Sequence, residues 1–341
     1  MLYMPPENPA SIETEWLLIL KWQKGMVSAD QAGRLGMTAG EIRWKVKSGK
    51  WQWMYRGVYA TFSGELPWEA RLWAVVLSIG DSAALSHETA AELHGFGFGF
   101  SKGPAGPVHV TVPLASEPAR WSGLRGVMVH RTRNWQADPQ PYWNLPRTPA
   151  ARTVLDLVAA APALDDAYAW LSRAVTRRTV TPAMIADVLG SRKRFARRAW
   201  LQDAVTDVRD GIHFPLERRW VTDIERPHGL PAATRQAKRA GADGIRYLDN
   251  YYEPYGLCVE LDGAAFHPDE DRARDRRRDN ETTIAASAET LRYGFKEVAN
   301  RPCDQAEQFA RALMKHKWTA DTLSPCSRSC PVAKLTTKRH Y

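Results

Sequence analysis

Cysteine is scarce in this chain, long apolar runs are missing and acids are outnumbered, and each shortage removes a class of protein. Four cysteines in 341 residues (Cys258, Cys303, Cys326 and Cys330) are too few for a disulfide framework, so a reducing cytoplasm is the expected setting. No stretch holds the roughly eighteen consecutive apolar residues of a membrane span. Residues 1–8 show no basic region followed by an apolar core, so no signal peptide is expected. Acids number 38 against 47 Lys and Arg, a net charge of +9, which favours a polyanionic partner. What is present, 44% hydrophobic residues over this length, suits two or three soluble domains, each able to bury a core.

The positive charge is concentrated. Between Lys21 and Ala60 stand eight Lys or Arg and two acids, Asp30 and Glu41, a local excess of +6. A second group is Arg192-Lys193-Arg194 with Arg197-Arg198. A third, Arg272, Arg274 and Arg276-Arg277-Arg278, is interleaved with Asp269, Glu270, Asp271, Asp275 and Asp279, and reads equally well as a solvated helix.

Residues 1–62 read as one section. Apolar residues from Ile12 to Trp22 recur at helical spacing. Ser28 can cap a short helix that Gly36 ends, and Thr38, with Glu41 three residues on, can cap a second through Lys47. Residues 51–61 read as a ribbon turning near Arg56-Gly57. Two short helices, a tight turn and a hairpin make the layout of a winged helix-turn-helix. The second helix would present Arg43, Lys45 and Lys47 to duplex DNA, with Lys50 and Arg56 at its end and wing. Trp44, Trp51 and Trp53 are expected in the core. The alternative is a small helical domain with basic solvent faces.

Residues 63–211 read as an α+β middle domain: helices at 67–79, 86–93 and 150–160, more helices through Asp203, and strands at 108–112 and 127–130. His87, His94, His109 and His130 have no compact ligand spacing and are expected to be ordinary histidines.

Residues 212–318 hold the chemistry. The runs 244–250 and 257–262 read as strands, yet they carry Asp249, Glu260 and Asp262. Carboxylates in such strands are expensive unless paired or bound to a cation. Asp249 and Glu260 are the candidate magnesium ligands, with Asp262 a third ligand or an orienter of the attacking water. Glu217, on a helix over 216–224, could contact the metal through water. His267 could act as base or phosphate contact, and Arg274 and Arg278 could hold the scissile phosphate. Plainer accounts exist: Asp249 capping a turn at Asn250-Tyr251, Asp262-Gly263 turning the chain, Glu217 on the surface beside Arg218-Arg219. A polar helix over 272–288, a strand at 290–293 and a closing helix at 305–315 would complete a small mixed sheet flanked by helices. Residues 319–341 are expected to be a disordered tail, in which Cys326-x-x-x-Cys330 lacks a companion pair and is not expected to hold zinc.

Leu216-Glu217, Arg246-x-x-Asp249, Val259-Glu260-Leu261-Asp262-Gly263, His267, Arg276-Arg277-Arg278-Asp279-Asn280 and Leu291-Arg292-Tyr293 together resemble the Vsr-like domain family. That family is similar to the very-short-patch-repair endonuclease of the PD-(D/E)XK superfamily. The resemblance spans about a hundred residues (215–312) and implies a restriction-endonuclease-like mixed sheet with magnesium between Asp249 and Glu260. It departs at Asp262, which occupies the superfamily's lysine position, and at Asn250 and Glu253, which make that stretch unusually polar. Val27-Ser28-x-x-Gln31-Ala32 and Tyr55-Arg56-Gly57-Val58-Tyr59 resemble the winged helix-turn-helix of AbiEi-type antitoxins. These are repressors of type IV toxin–antitoxin (abortive-infection) systems, which would imply a cognate toxin as partner. Arg147-Thr148-Pro149-Ala150 looks like part of the domain usually joined to it. The expectation is therefore a multi-domain α/β protein acting on double-stranded DNA as a magnesium-dependent endonuclease. Its rivals are a regulator whose nuclease-like domain does not turn over and a nuclease that processes RNA.

Overall fold

A computed structural model describes residues 12–97, 106–117, 121–133, 144–241, 244–262 and 289–336, excepting the side chains of 239–247, 262 and 296. The chain is a mixed α/β protein with three small sheets, dividing into compact units at residues 1–199 and 200–341. Among the described residues no helix is long and apolar enough to cross a membrane.

The first unit begins α1 (Ile12–Trp22), β1 (Met26–Ser28), α2 (Ala29–Arg34), α3 (Ala39–Lys47), β2 (Gln52–Tyr55) and β3 (Val58–Ala60). Both anticipated caps form. Ser28 Oγ accepts from Gln31 N at 3.1 Å while Gln31 Oε1 accepts from Ser28 N at 2.9 Å. Thr38 and Glu41 repeat the exchange at the start of α3. Gly57, at φ +71, turns β2 into β3, and β1 joins them in the order β1-β3-β2.

Strand alternation gives this sheet two buried faces. Val27 packs with Ala32, Ile42 and Trp51 beneath the helices. Met26, Val58 and Ala60 face the other way, into a core with Leu72, Trp73 and Val76 of α4 (Trp68–Ile79). That core continues into Val108, Val110 and Val112 of β5 (Val108–Pro113). β5 pairs antiparallel with β4 (Ala84–Leu85) and parallel with β6 (Val127–Thr132). Helices α5 (His87–Leu93), α6 (Ala150–Ala160), α7 (Leu164–Thr176) and α8 (Pro182–Ser191) complete the unit. α9 (Arg198–Arg209) crosses the division.

The second unit runs from α10 (Pro215–Arg219) through a π-helical turn at Trp220–Glu225 to α11 (Arg226–His228). Its sheet has the order β10-β9-β8-β7: β7 (Thr234–Gly241), β8 (Gly244–Tyr252), β9 (Leu257–Asp262) and β10 (Glu289–Gly294). β10 runs parallel to β9, and the other neighbours are antiparallel. β8, β9 and β10 answer the sequence reading. β7 does not, because Thr234-Arg235-Gln236-Ala237-Lys238-Arg239 has no apolar alternation, and it sits at the sheet edge where polar residues are tolerated. The closing helix is two helices, α12 (Phe295–Asn300) and α13 (Pro302–Lys315). The polar helix expected over 272–288 lies outside the described residues.

Trp220, Tyr252, Leu257, Val259 and Phe309 centre the core of this unit, each large apolar side chain adding roughly 1.5–3 kcal/mol. Ala320, Leu323, Cys330 and Val332 are buried in the same core. The segment 319–336, expected from its composition to be disordered, is therefore packed, ending in α14 (Ala333–Thr336). Its few apolar residues are too widely spaced to show a period, yet these four reach the core and Leu335 packs against it.

Candidate functional site

Strand register brings the two central acids together. β8 and β9 pair through Tyr252↔Leu257, Tyr251↔Cys258 and Asn250↔Val259, and the next residues outward on the two strands are Asp249 and Glu260. By alternation Asp249 and Glu260 share a face with Tyr251 and Cys258, while Tyr252, Leu257 and Val259 enter the main core on the other. The Cys258 thiol is pushed up to about 12, first by burial, then by the carboxylates of Glu260 and Asp249. Asp249 lies within β8 and does not cap a turn.

Glu217 is buried at 4% exposure, not on the surface. Its Oε2 accepts from His213 N at 2.9 Å and Phe214 N at 3.3 Å, capping α10, and its Oε1 accepts from Gln236 Nε2 at 3.2 Å. The same Gln236 nitrogen lies 3.4 Å from Asp249 Oδ1. Burial raises the Glu217 carboxyl above its ordinary range. The two backbone amides act against that rise, and neighbouring Asp249 adds to it. Gln236 stands opposite Asp249 at the rung the β7–β8 ladder skips, with a left-handed backbone at φ +47. A non-glycine residue held there is strained, and strain of this kind gathers at working sites. Gln236 carries no signal in the sequence, because nothing in the polar run around it marks one residue over another.

Glu260 Oε2 accepts from Arg292 Nη2 at 2.5 Å, across the β9–β10 pair Glu260↔Arg292. Asp262 ends β9, in register with Gly294. His267, Arg274 and Arg278 lie outside the described residues. Asp249, Glu260 and Glu217 are hard oxygen donors of the kind magnesium takes. Among the described residues, however, these acids do not form a group of three with ligand atoms all within 4.8 Å of one another.

Behind the site runs a buried polar chain. Trp220 Nε1 donates to the Tyr252 hydroxyl at 2.8 Å, and that hydroxyl donates to Glu225. Arg235 donates to both Glu225 and Asn250, and Asn250 Nδ2 donates to the Val259 carbonyl at 3.3 Å. Asn250, unusually polar for a strand core, is thus fully buried with its amide satisfied at both ends.

In the first unit Arg43, Lys47 and Lys50 are exposed on and just after α3, and Arg56 is exposed at the β2–β3 turn. Lys45 is half-buried over the Trp51 ring. Of the three tryptophans expected in the core, only Trp51 is there. Trp44 is 57% and Trp53 62% exposed, with the Lys50 ammonium 4.7 Å from the centroid of the Trp44 ring.

Three of the four histidines do converge, against expectation, because β5 and β6 align His109 and His130 beside the start of α5. His109 Nδ1 and His130 Nε2 are 2.9 Å apart, and the His87 and His130 rings stack at 3.8 Å. His87 and His130 line a cleft of about 450 Å³ with Arg152, Asp156 and Arg192. Burial depresses His87 to about 3, and also lowers His109 and His130. His94 stands apart from this group, its Nε2 2.8 Å from the Thr148 carbonyl oxygen.

No protein-family model matches this chain, and a search of curated proteins finds no match to it.

Proposed function

We propose that the protein binds duplex DNA through a winged helix-turn-helix at its N-terminus and hydrolyses phosphodiesters at the acidic site of its second unit. The observation that carries the catalytic part is the Gln236 amide lying between Glu217 and Asp249, beside Glu260 on the next strand. DNA binding is supported by Arg43, Trp44 and Lys47 on α3 and Lys50 just after it, all of them exposed.

Asp249 and Glu260 would hold magnesium, which when bound neutralises charge on the phosphate and activates water for attack. Gln236 fixes the orientation of the Asp249 carboxylate and of one Glu217 oxygen. Glu217, with its proton affinity raised by burial, can take a proton from water entering the site. The Vsr-like resemblance implies the same two magnesium ligands, and Asp262 in place of lysine leaves water orientation to the acids and Gln236.

A second reading, an antitoxin-like repressor without turnover, is favoured by the Arg292–Glu260 contact, because a guanidinium on Glu260 competes with a cation for the same oxygen. Supercoiled plasmid incubated with magnesium and the purified protein separates the two. Nicking that is lost in Asp249→Ala and Glu260→Ala supports hydrolysis at this site, and nicking unchanged in both removes it. Tight duplex binding without nicking under any divalent cation favours the repressor reading.

A further inference from the structure

Away from the acids, four side chains with metal-ligand chemistry meet: His228, Cys303, Cys326 and Cys330, with ligand atoms all within 4.8 Å of one another. They come from three places in the chain. His228 ends α11, Cys303 lies in the first turn of α13, and Cys326 and Cys330 flank a turn in the C-terminal segment.

The histidine is prepared as a ligand. It is fully buried, and its Nδ1 lies 2.8 Å from the Ile224 carbonyl oxygen, a contact that places the proton on Nδ1 and leaves Nε2 with its lone pair free. Nε2 is buried and finds no hydrogen-bond partner among the described residues. A ring nitrogen anchored to a backbone carbonyl, with the other bare, is the arrangement that orients metal-bound histidines. A buried nitrogen with nothing to accept is otherwise costly.

The sulfurs are spaced for a shared ion and not for a covalent bond. Cys303 Sγ and Cys326 Sγ are 3.4 Å apart, beyond a disulfide's length of about 2.05 Å. Two thiolates on one tetrahedral zinc, each at about 2.3 Å, stand about 3.8 Å apart. All four cysteines of the chain are free, and the fourth, Cys258, belongs to the acidic site.

The surrounding backbone is built around the same point. Ser324 N donates to the His228 carbonyl at 3.1 Å, and Thr322 Oγ1 donates to the Gly229 carbonyl at 2.6 Å. Gly229 has φ +63, and a Cβ there would lie 1.8 Å from the Thr322 carbonyl oxygen, so only glycine admits this approach. Cys326 is exposed while His228 and Cys330 are buried, which gives an ion a way in from solvent.

We propose that His228, Cys303, Cys326 and Cys330 form a closed tetrahedral zinc site that fastens the C-terminal segment to α11 and α13. Three thiolates and one imidazole select zinc by softness and geometry, and with four protein ligands no position is left open for chemistry, so the site is structural. Binding replaces three thiol protons, which pass to solvent, by one divalent cation. The site is separate from the proposed magnesium ligands and shares no residue with them.

The test uses the full chain, expressed in zinc-supplemented medium, purified under reducing conditions and measured by elemental analysis. One zinc per chain is expected, and it should be lost in Cys326→Ser and kept in Cys258→Ser. Cobalt exchanged into the same protein should show thiolate charge-transfer bands and the strong visible bands of a tetrahedral ion. Cys330→His preserves a ligand, so its retention of zinc guards against a loss that reflects misfolding alone. Stripping the metal with a strong chelator should speed tryptic cleavage at Arg328. Zinc well below one per chain in the folded wild type, iron in its place, zinc retained by Cys326→Ser, or a Cys303–Cys326 disulfide in protein purified without reductant and zinc-free would each overturn the proposal.

Discussion

Arg292 lies directly beside Glu260 in the parallel register of β10 and β9, and its guanidinium holds one oxygen of that carboxylate at 2.5 Å. Both side chains are partly open to solvent, at 32% and 22%, so the pair adds less than about 1 kcal/mol to stability. Its effect on a cation should be larger. Arg292→Gln is expected to shift the melting midpoint little while tightening manganese or calcium binding by roughly tenfold, about 1.4 kcal/mol, read by calorimetric titration. An affinity that does not change would mean that Glu260 is not a ligand.

The raised carboxyl of Glu217 fixes the sign of a pH effect. A carboxyl with a folded pKa above its unfolded value of 4.5 binds more protons in the native state. Its contribution is complete below about 4.5 and is lost as pH rises through the folded value. Glu217→Gln keeps an oxygen for the His213 and Phe214 amides and removes the titration. Urea melts from pH 4 to 8 should show a smaller loss of stability with rising pH in this variant than in the wild type. The proposed cleavage should fall sharply in the same variant.

The histidine group of the first unit works in the opposite direction. Burial depresses His87 from 6.5 to about 3, with charge on His130 and His109 adding to the shift. The unfolded chain therefore takes up protons that the folded chain refuses, so stability is full above about 6.5 and falls as pH drops toward 3. His87→Asn, a residue that tolerates the left-handed backbone at φ +49, should reduce the acid sensitivity of the first unit's unfolding. Followed by tryptophan fluorescence, an unaltered pH slope would assign acid sensitivity to other groups.

For the proposed DNA-binding face, Arg43→Ala with Lys47→Ala should weaken duplex binding and reduce the slope of log affinity against log salt by roughly 0.9 for each phosphate no longer neutralised. Trp44→Ala should weaken binding with the slope intact, because an indole carries no counterion. Fluorescence anisotropy across a salt series distinguishes the two, and wild-type binding in both proteins would exclude α3 as the interface.

Local signals in the sequence are strong wherever neighbours along the chain decide the outcome. Ser28 and Thr38 with their partners three residues on mark the starts of α2 and α3, because a capping box is closed within one turn. Alternation in 257–262 marks β9 and places Glu260 on the face opposite the core residues Leu257 and Val259. Trp44 and Trp53 stand outside the core that their side chains suggest, because hydrophobicity alone does not say which side of a short element faces solvent.

By itself, the sequence determined the helices of the first unit, the acid-bearing strands of the second and the concentration of positive charge near α3, since each is set by period, caps and composition over a few residues. Only the tertiary structure decided what stands beside those acids and where the last cysteines go. Gln236 reaches Glu217 and Asp249 from an edge strand with no pattern of its own, and Arg292 reaches Glu260 by sheet register. Cys326 and Cys330 find Cys303 and His228 across a segment that composition alone would leave loose. Contacts between residues so far apart in the chain depend on how the elements pack, and no local period records that.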